Sequence, residues 1–254
     1  MTLPEWVPDW ATLVRADNPG PMTLDGTNTW VLRAPGSTGC VVIDPGPLLP
    51  EHLERVAAHG PVVATLLTHG HPDHSEGAAR FAEMTGSDVL AADPVHAVGG
   101  QALIADGEPL EVAGLSLRTF ATPGHTADSV SFVIEDEAVL TGDTILGRGT
   151  TVVAWPDGAL GDYLTSLERI RGLGSIPVLP GHGPVLPDAG AVAAFYLRHR
   201  AERLAQVEAA VAAGASTPMD VVQTVYADVD RSVWPAASLS VRAQLDYLRA
   251  NGRP

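Results

Sequence analysis

Residues 68–74 read Thr-His-Gly-His-Pro-Asp-His, so three imidazoles and one carboxylate fall within six positions, 69–74. His69 and His71 stand two apart, and on extended backbone such residues project to the same side. Gly70 between them lets the chain bend close to an ion, and Pro72 stiffens the exit. Asp73 and His74 then face a second position. Imidazole and carboxylate groups crowded in this way suit zinc and related divalent metals; a plain hydrogen-bonded turn is the alternative chemistry.

The elements that must carry this cluster are legible from apolar runs. Strand patterns cover residues 29–33, 41–44, 62–67, 87–91, 115–121, 130–135, 138–141 and 176–179. Helical patterns cover 51–59, 75–85 and 162–173, with residues 93–112 left as a variable region. The cluster therefore follows the strand at 62–67. Three further residues sit at strand ends: His125 on a Pro-Gly turn, Asp143 after Gly142, and His182 in Pro180-Gly181-His182-Gly183. Each alone reads as a turn residue. Asp44, before Pro45-Gly46, reads from the residues as a turn cap. His52 and His59 are expected to face solvent, and His96 has no partner spacing. Arg148, Thr150, Thr151 and Trp155 either border a pocket or hold a loop.

From residue 188 the pattern is helical, at 189–213, 218–227 and 236–250. The expected division is residues 1–187 as one domain and 188–254 as a C-terminal helical module. Phe195, Tyr196, Leu197, Leu204, Val207, Val211 and Leu245 form its apolar faces, to be covered by the core or by a second chain in a homodimer.

Composition narrows the function. The net charge is −15 and the chain has no lysine. Residues 189–254 carry seven arginines against six acidic residues, so the remainder stands at −16. Such a balance disfavours a general nucleic-acid binder. No apolar run is long enough for a membrane span. The first residues lack a basic stretch followed by an apolar core, and the single Cys40 lies in a strand pattern as a small core residue, so a reducing cytoplasm is expected.

The pattern His-x-His-x-Asp-His after a strand resembles the signature of the metallo-β-lactamase-fold hydrolases. Three segments resemble their β-lactamase-like protein 2 branch: the turn-rich entry from Asn18 to Trp30, Gly124-His125-Thr126-Ala127-Asp128-Ser129, and Tyr163-Leu164-Thr165-Ser166-Leu167. The helical tail resembles that branch's winged-helix-like module, and the chain stops at Asn251-Gly252-Arg253-Pro254, where a wing hairpin is expected.

The resemblance implies an α/β fold, an αββα sandwich with a C-terminal helical, winged-helix-like module. It implies that His69, His71 and His125 hold one zinc, that Asp73, His74 and His182 hold the other, and that Asp143 bridges them. For Asp44 the resemblance adds support of a metal ligand from behind as the alternative to a turn cap. Iron or manganese are the substitutes for zinc. Two ions ~3.5–4 Å apart sharing a hydroxide would cleave an ester, thioester, lactam or phosphodiester, with Asp73 handling the proton. Ions, carboxylates and hydroxide together leave the site positive, which favours an anionic or carbonyl-containing small molecule. Related chemistries are weighed against it. Glyoxalase II uses arginine and lysine near its C-terminus to hold glutathione carboxylates, and this chain has no lysine; diiron flavoproteins replace a histidine of the first motif with Glu, whereas His71 is intact here; several secreted zinc β-lactamases carry a cysteine where Asp143 stands. An endoribonuclease like the animal member of the branch, a mononuclear-iron dioxygenase and a non-enzymatic binding module remain as alternatives.

Overall fold

The computed structural model describes residues 3–100, 106–134 and 136–253. Two five-stranded sheets face one another. The first runs in the order β1 (Ala11–Arg15), β2 (Asn28–Leu32), β3 (Cys40–Ile43), β4 (Val62–Leu66) and β5 (Val89–Leu90). Its β1–β2–β3 pairs are antiparallel, and β3–β4–β5 are parallel. The second holds β6 (Pro109–Val112), β7 (Leu115–Ala121), β8 (Val130–Ile134), β9 (Ala138–Gly142) and β10 (Val178–Pro180) in that spatial order, with only β9–β10 parallel.

Alternation along each strand builds three layers of core. Trp30, Leu32, Val41, Ile43 and Leu66 meet Leu117, Phe132, Leu140 and Leu179 between the sheets. The opposite face of the first sheet, with Val31, Cys40 and Val42, packs on α1 (Pro50–Ala57) and α3 (Ala78–Thr85) through Leu53, Val56 and Phe81. The outer face of the second sheet, with Val133, Val139 and Val178, packs on α4 (Leu160–Arg171) through Tyr163, Leu167 and Ile170. Strands covered on both faces read as continuous apolar runs, which is why β2, β3, β8 and β9 are plain in the sequence.

The differences from expectation have local causes. The helix expected at 75–85 is two pieces, α2 (Pro72–Ser75) and α3, parted at Gly77. Gly77 donates to the Gly46 carbonyl at 3.0 Å, and a Cβ there would meet that oxygen at 2.8 Å. Strands β1 and β6 are additions to the expected set; both are edges, and of their nine residues only Ala11 is buried. Of the strand expected at 130–135, Glu135 lies outside the described residues, as do residues 101–105 of the variable region.

The tail is α5 (Ala189–Ala212), α6 (Pro218–Val225) and α7 (Trp234–Ala250). Asp188 caps α5 through Ala191 N at 2.7 Å, and Thr217 with Asp220 forms a reciprocal capping box on α6. Tyr196, Leu204 and Val207 join one apolar cluster with α4 and the second sheet, so the tail's apolar face is covered by the chain's own core. Leu197, Val211 and Leu245 pack at its margin, whereas Phe195 is exposed, turned away from the stripe that Tyr196 occupies. Among the described residues the tail has no strand, and no helix is long and apolar enough to cross a membrane.

Candidate metal centre

The seven residues singled out in the sequence converge at one edge of the sandwich. Backbone leaving β4 carries His69 and His71 into α2, whose first turn presents Asp73 and His74. The β7–β8 connection carries His125, the turn after β9 carries Asp143, and the turn after β10 carries His182. Three glycines let these turns close. A Cβ at Gly142 would meet Thr68 Oγ1 at 2.4 Å, one at Gly181 would meet Asp143 Oδ1 at 2.6 Å, and one at Gly124 would meet the Tyr163 backbone at 2.3 Å.

Two groups of donor atoms result. His71 Nδ1 stands 3.1 Å from His69 Nε2 and 3.0 Å from His125 Nε2. In the second, Asp73 Oδ2 is 3.1 Å from His182 Nε2 and 3.4 Å from His74 Nε2, and the two histidine nitrogens are 3.1 Å apart. Asp143 lies between the groups, with Oδ2 at 3.8 Å from His125 Nε2 and 3.4 Å from His182 Nε2, and Oδ1 at 3.4 Å from His74 Nε2.

The outer nitrogens are held by the protein. His69 Nδ1 lies 3.0 Å from Thr68 Oγ1, His125 Nδ1 2.6 Å from the Val152 carbonyl, and His182 Nδ1 3.3 Å from the Gly26 carbonyl. His74 Nδ1 is 2.8 Å from Asp44 Oδ2, and Asp44 also accepts from Thr68 N and Oγ1, both at 2.7 Å. Of the two roles open to Asp44, support for His74 is therefore the one it fills. Its φ is +52°, an unusual conformation that the surrounding bonds maintain.

Charge divides unevenly between the groups. Burial holds His69 and His125 below the usual imidazole value, and neighbouring imidazoles add to the effect. Burial also opposes charge on His74 and His182. There the carboxylates win: Asp143 and Asp44 raise His74, and Asp143 and Asp73 raise His182 to about 9. Burial would raise both carboxyls, yet His182 and His74 hold Asp143 well down, and the same pair brings Asp73 to about 2.

This donor set fits divalent ions. Tetrahedral zinc with nitrogen bonds of about 2.0–2.1 Å places its ligands roughly 3.3 Å apart, close to the separations within each group. Asp143 Oδ1 is buried without a hydrogen-bond partner, which a cation would remedy.

Several participants escaped the sequence reading. Thr27 Oγ1 donates to Asp73 Oδ2 at 3.1 Å and is itself fixed by Asn18. Asn28 Nδ2 binds the Pro180 and Gly183 carbonyls at 3.0 and 2.9 Å, clasping the His182 turn. Their signal was the turn-rich entry segment. His52 is a correction: it is buried, not solvent-facing, because it shares the inward face of α1 with Leu53 and Val56 and meets Thr29 Oγ1 at 2.9 Å. His59 is half-buried, and His96 lies against Gly70, where a Cβ would meet its Nε2 at 2.1 Å.

A cavity of about 300 Å³ opens beside His125 and Asp143 and runs between the loop after β9 and the tail. Arg148, Thr150 and Thr151 line it. Trp155 does not; its indole donates to Asp246 of α7 at 2.9 Å.

The family model for the metallo-β-lactamase superfamily matches residues 22–182, and that for the β-lactamase associated winged helix domain matches residues 217–253. The chain belongs to the metallo-β-lactamase superfamily, a family of hydrolytic enzymes whose fold implies a divalent metal site. Within it the chain falls in the β-lactamase-like protein 2 branch: a β-lactamase-like protein 2 homologue of Caenorhabditis elegans is 34% identical over 266 residues, covering 98% of this chain and 87% of the relative. An atrochrysone carboxyl ACP thioesterase of Aspergillus chevalieri is 35% identical over 238 residues, 87% of this chain and 74% of the relative. A metallo-β-lactamase family protein from Thermus thermophilus superposes with a TM-score of 0.82 at 25% identity, over 96% of this chain and 94% of that one.

Proposed function

We propose that the chain is a binuclear zinc hydrolase that cleaves an ester or thioester of a small organic acid. The observation that carries this reading is the meeting of seven donor residues with a cavity whose walls are mostly apolar, at His125 and Asp143. The thioesterase name of the Aspergillus relative supports it. His69, His71 and His125 would hold one ion; Asp73, His74 and His182 the other; Asp143 would serve both. Two zinc ions there supply Lewis acidity and a water whose pKa falls to about 7.

The chain's own residues do the rest. Asp73, whose Oδ2 is steadied by the Thr27 hydroxyl, would accept the proton of the attacking water on its other carboxylate oxygen. The Thr68–Asp44–His74 bonds keep one imidazole oriented through the reaction. Apolar walls at Leu146 and Val152 keep bulk water from the reacting carbonyl.

Elemental analysis of the purified protein should find close to two zinc ions per chain. A panel of thioesters, esters, lactams and short RNA should show thioester or ester hydrolysis. One iron per chain with no zinc, and oxygen consumption in place of hydrolysis, would overturn the reading.

A further inference from the structure

The cavity beside the metal centre has two kinds of wall. Leu24, Leu146 and Val152 face it from the core, and Val229, Val233 and Ala237 from the tail. Set among them are Arg148, His199, Arg200 and Arg203, while Asp143 is the only carboxylate on its lining among the described residues. A chain with 30 acidic residues against 15 basic ones thus gathers three arginines around one pocket.

Two of these arginines have no carboxylate partner among the described residues. Arg200 is 5% exposed; its guanidinium donates to the Thr151 carbonyl and lies over the Tyr163 ring at 5.0 Å. Its Nε is buried with no hydrogen-bond partner. Arg203 is half-buried, fixed by the Val225 carbonyl at 2.6 Å and Gln206 Oε1 at 3.0 Å, and stacked 4.5 Å over Tyr226. Arg148 differs, since Asp25 pairs with it at 3.2 Å. Removing a cation from water without a counter-ion is costly, so a buried unpaired guanidinium marks a place where a ligand's anion completes the pair. The planar fork of arginine suits an oxyanion in particular. His199 lines the same cavity, and burial with the Arg200 and Arg203 charges holds it below the usual imidazole value, in keeping with a surplus of positive charge.

We infer that this cavity receives the acyl part of the substrate, and that this part is apolar along its length and carries an anionic oxygen group, a carboxylate or a phosphate, taken by Arg200 and Arg203. The inference rests on the hydrolytic reading above and adds the substrate class. The tail then serves as the specificity wall of the active site.

Three S-phenyl thioesters test it: octanoyl, suberoyl with a terminal carboxylate in place of the terminal methyl, and 8-phosphonooctanoyl. The zinc-loaded enzyme should favour at least one anionic thioester over octanoyl by ~10-fold or more in kcat/KM, mostly through KM. Whichever of the two is favoured identifies the group. Arg203→Gln should cut that preference by ~10-fold, and Arg200→Lys, which keeps charge but loses the fork, should cut it too. Calorimetric titration with the C1 amides of suberate and 8-phosphonooctanoate, each keeping its distal anionic group, and with neutral octanamide needs no turnover. The favoured anionic amide should bind the wild-type enzyme ~10-fold more tightly than octanamide, and Arg203→Gln should abolish the difference. Arginine-dependent binding without hydrolysis of any thioester or of the matching phenyl esters would uphold the pocket and sink the hydrolytic reading. Equal binding of all three amides by the wild-type enzyme, or octanoyl turned over as well as both anionic thioesters, would overturn the inference even where every variant misfolds.

Discussion

At the scale of single residues, Asp44 and Asp73 separate support from chemistry. Asp44 is buried, and its carboxylate is spent on Thr68 and His74. Asp44→Asn tolerates the positive φ, since asparagine visits that region readily, but removes the charge that His74 Nδ1 faces. On the proposed two-ion reading, affinity for the ion held by His74 should fall roughly 10–100-fold. Competition with a chromogenic chelator reads it, and unchanged affinity would remove Asp44 from the site. Asp73→Asn keeps the shape and loses the proton acceptor. Hydrolysis should fall at least ~100-fold with little movement of the thermal midpoint. A variant that unfolds readily while its folded fraction turns over normally would make Asp73 structural. The candidate ligands were legible because histidine and aspartate at successive strand ends are scarce and chemically specific. Arg200 and Arg203 were not, because an arginine on a helix ordinarily reads as a solvated face, and only the fold reveals that theirs meets a cavity.

At the scale of elements, helix α1 shows how a polar residue hides within an apolar stripe. Its buried positions are His52, Leu53 and Val56, spaced as one helical face, so the pattern was complete before the chemistry of His52 was considered. Burial, with Arg55 nearby, lowers His52 from 6.5 to about 4. In the folded chain it is therefore neutral where the unfolded chain would begin to protonate it. Its contribution is fully present above pH 6.5, is lost as the pH falls from there to about 4, and then levels off. The shift sets an upper scale of about 3 kcal/mol for that loss. In metal-free protein, wild type should lose more stability than His52→Gln between pH 7 and pH 5 in urea titrations; parallel losses would show that His52 titrates normally. Strands flanked on both faces were legible for the same reason as this stripe, through the period of their apolar residues. Edge strands β1 and β6 were not, since only Ala11 of their nine residues is buried and neither forms a continuous apolar run.

At the scale of the whole molecule, the tail and the metal centre are joined through the loop that follows β9. The Tyr196 hydroxyl of α5 accepts from Leu146 N at 3.0 Å and donates toward the Gly149 carbonyl at 3.0 Å. Ser240 of α7 accepts from Val153 N at 3.2 Å. Within the same loop, the Thr151 hydroxyl donates to the Asp143 carbonyl, so the tail fixes a segment that touches a candidate ligand. Tyr196 is buried, and burial pushes its phenol up to about 12, so the hydroxyl keeps its proton and stays a donor throughout the working range. Tyr196→Phe deletes this clasp and leaves Leu146 N and the Gly149 carbonyl without that partner, at a cost of about 1–3 kcal/mol. A chain of this size loses roughly 2–4 °C per kcal/mol, so calorimetry should record a midpoint lower by several degrees. Because the loosened loop is also a cavity wall, KM for an accepted thioester should rise several-fold while bound zinc stays near two per chain. A midpoint and KM both equal to wild type would show that the loop holds its shape without α5, and the tail would then be a neighbour of the active site and not part of it.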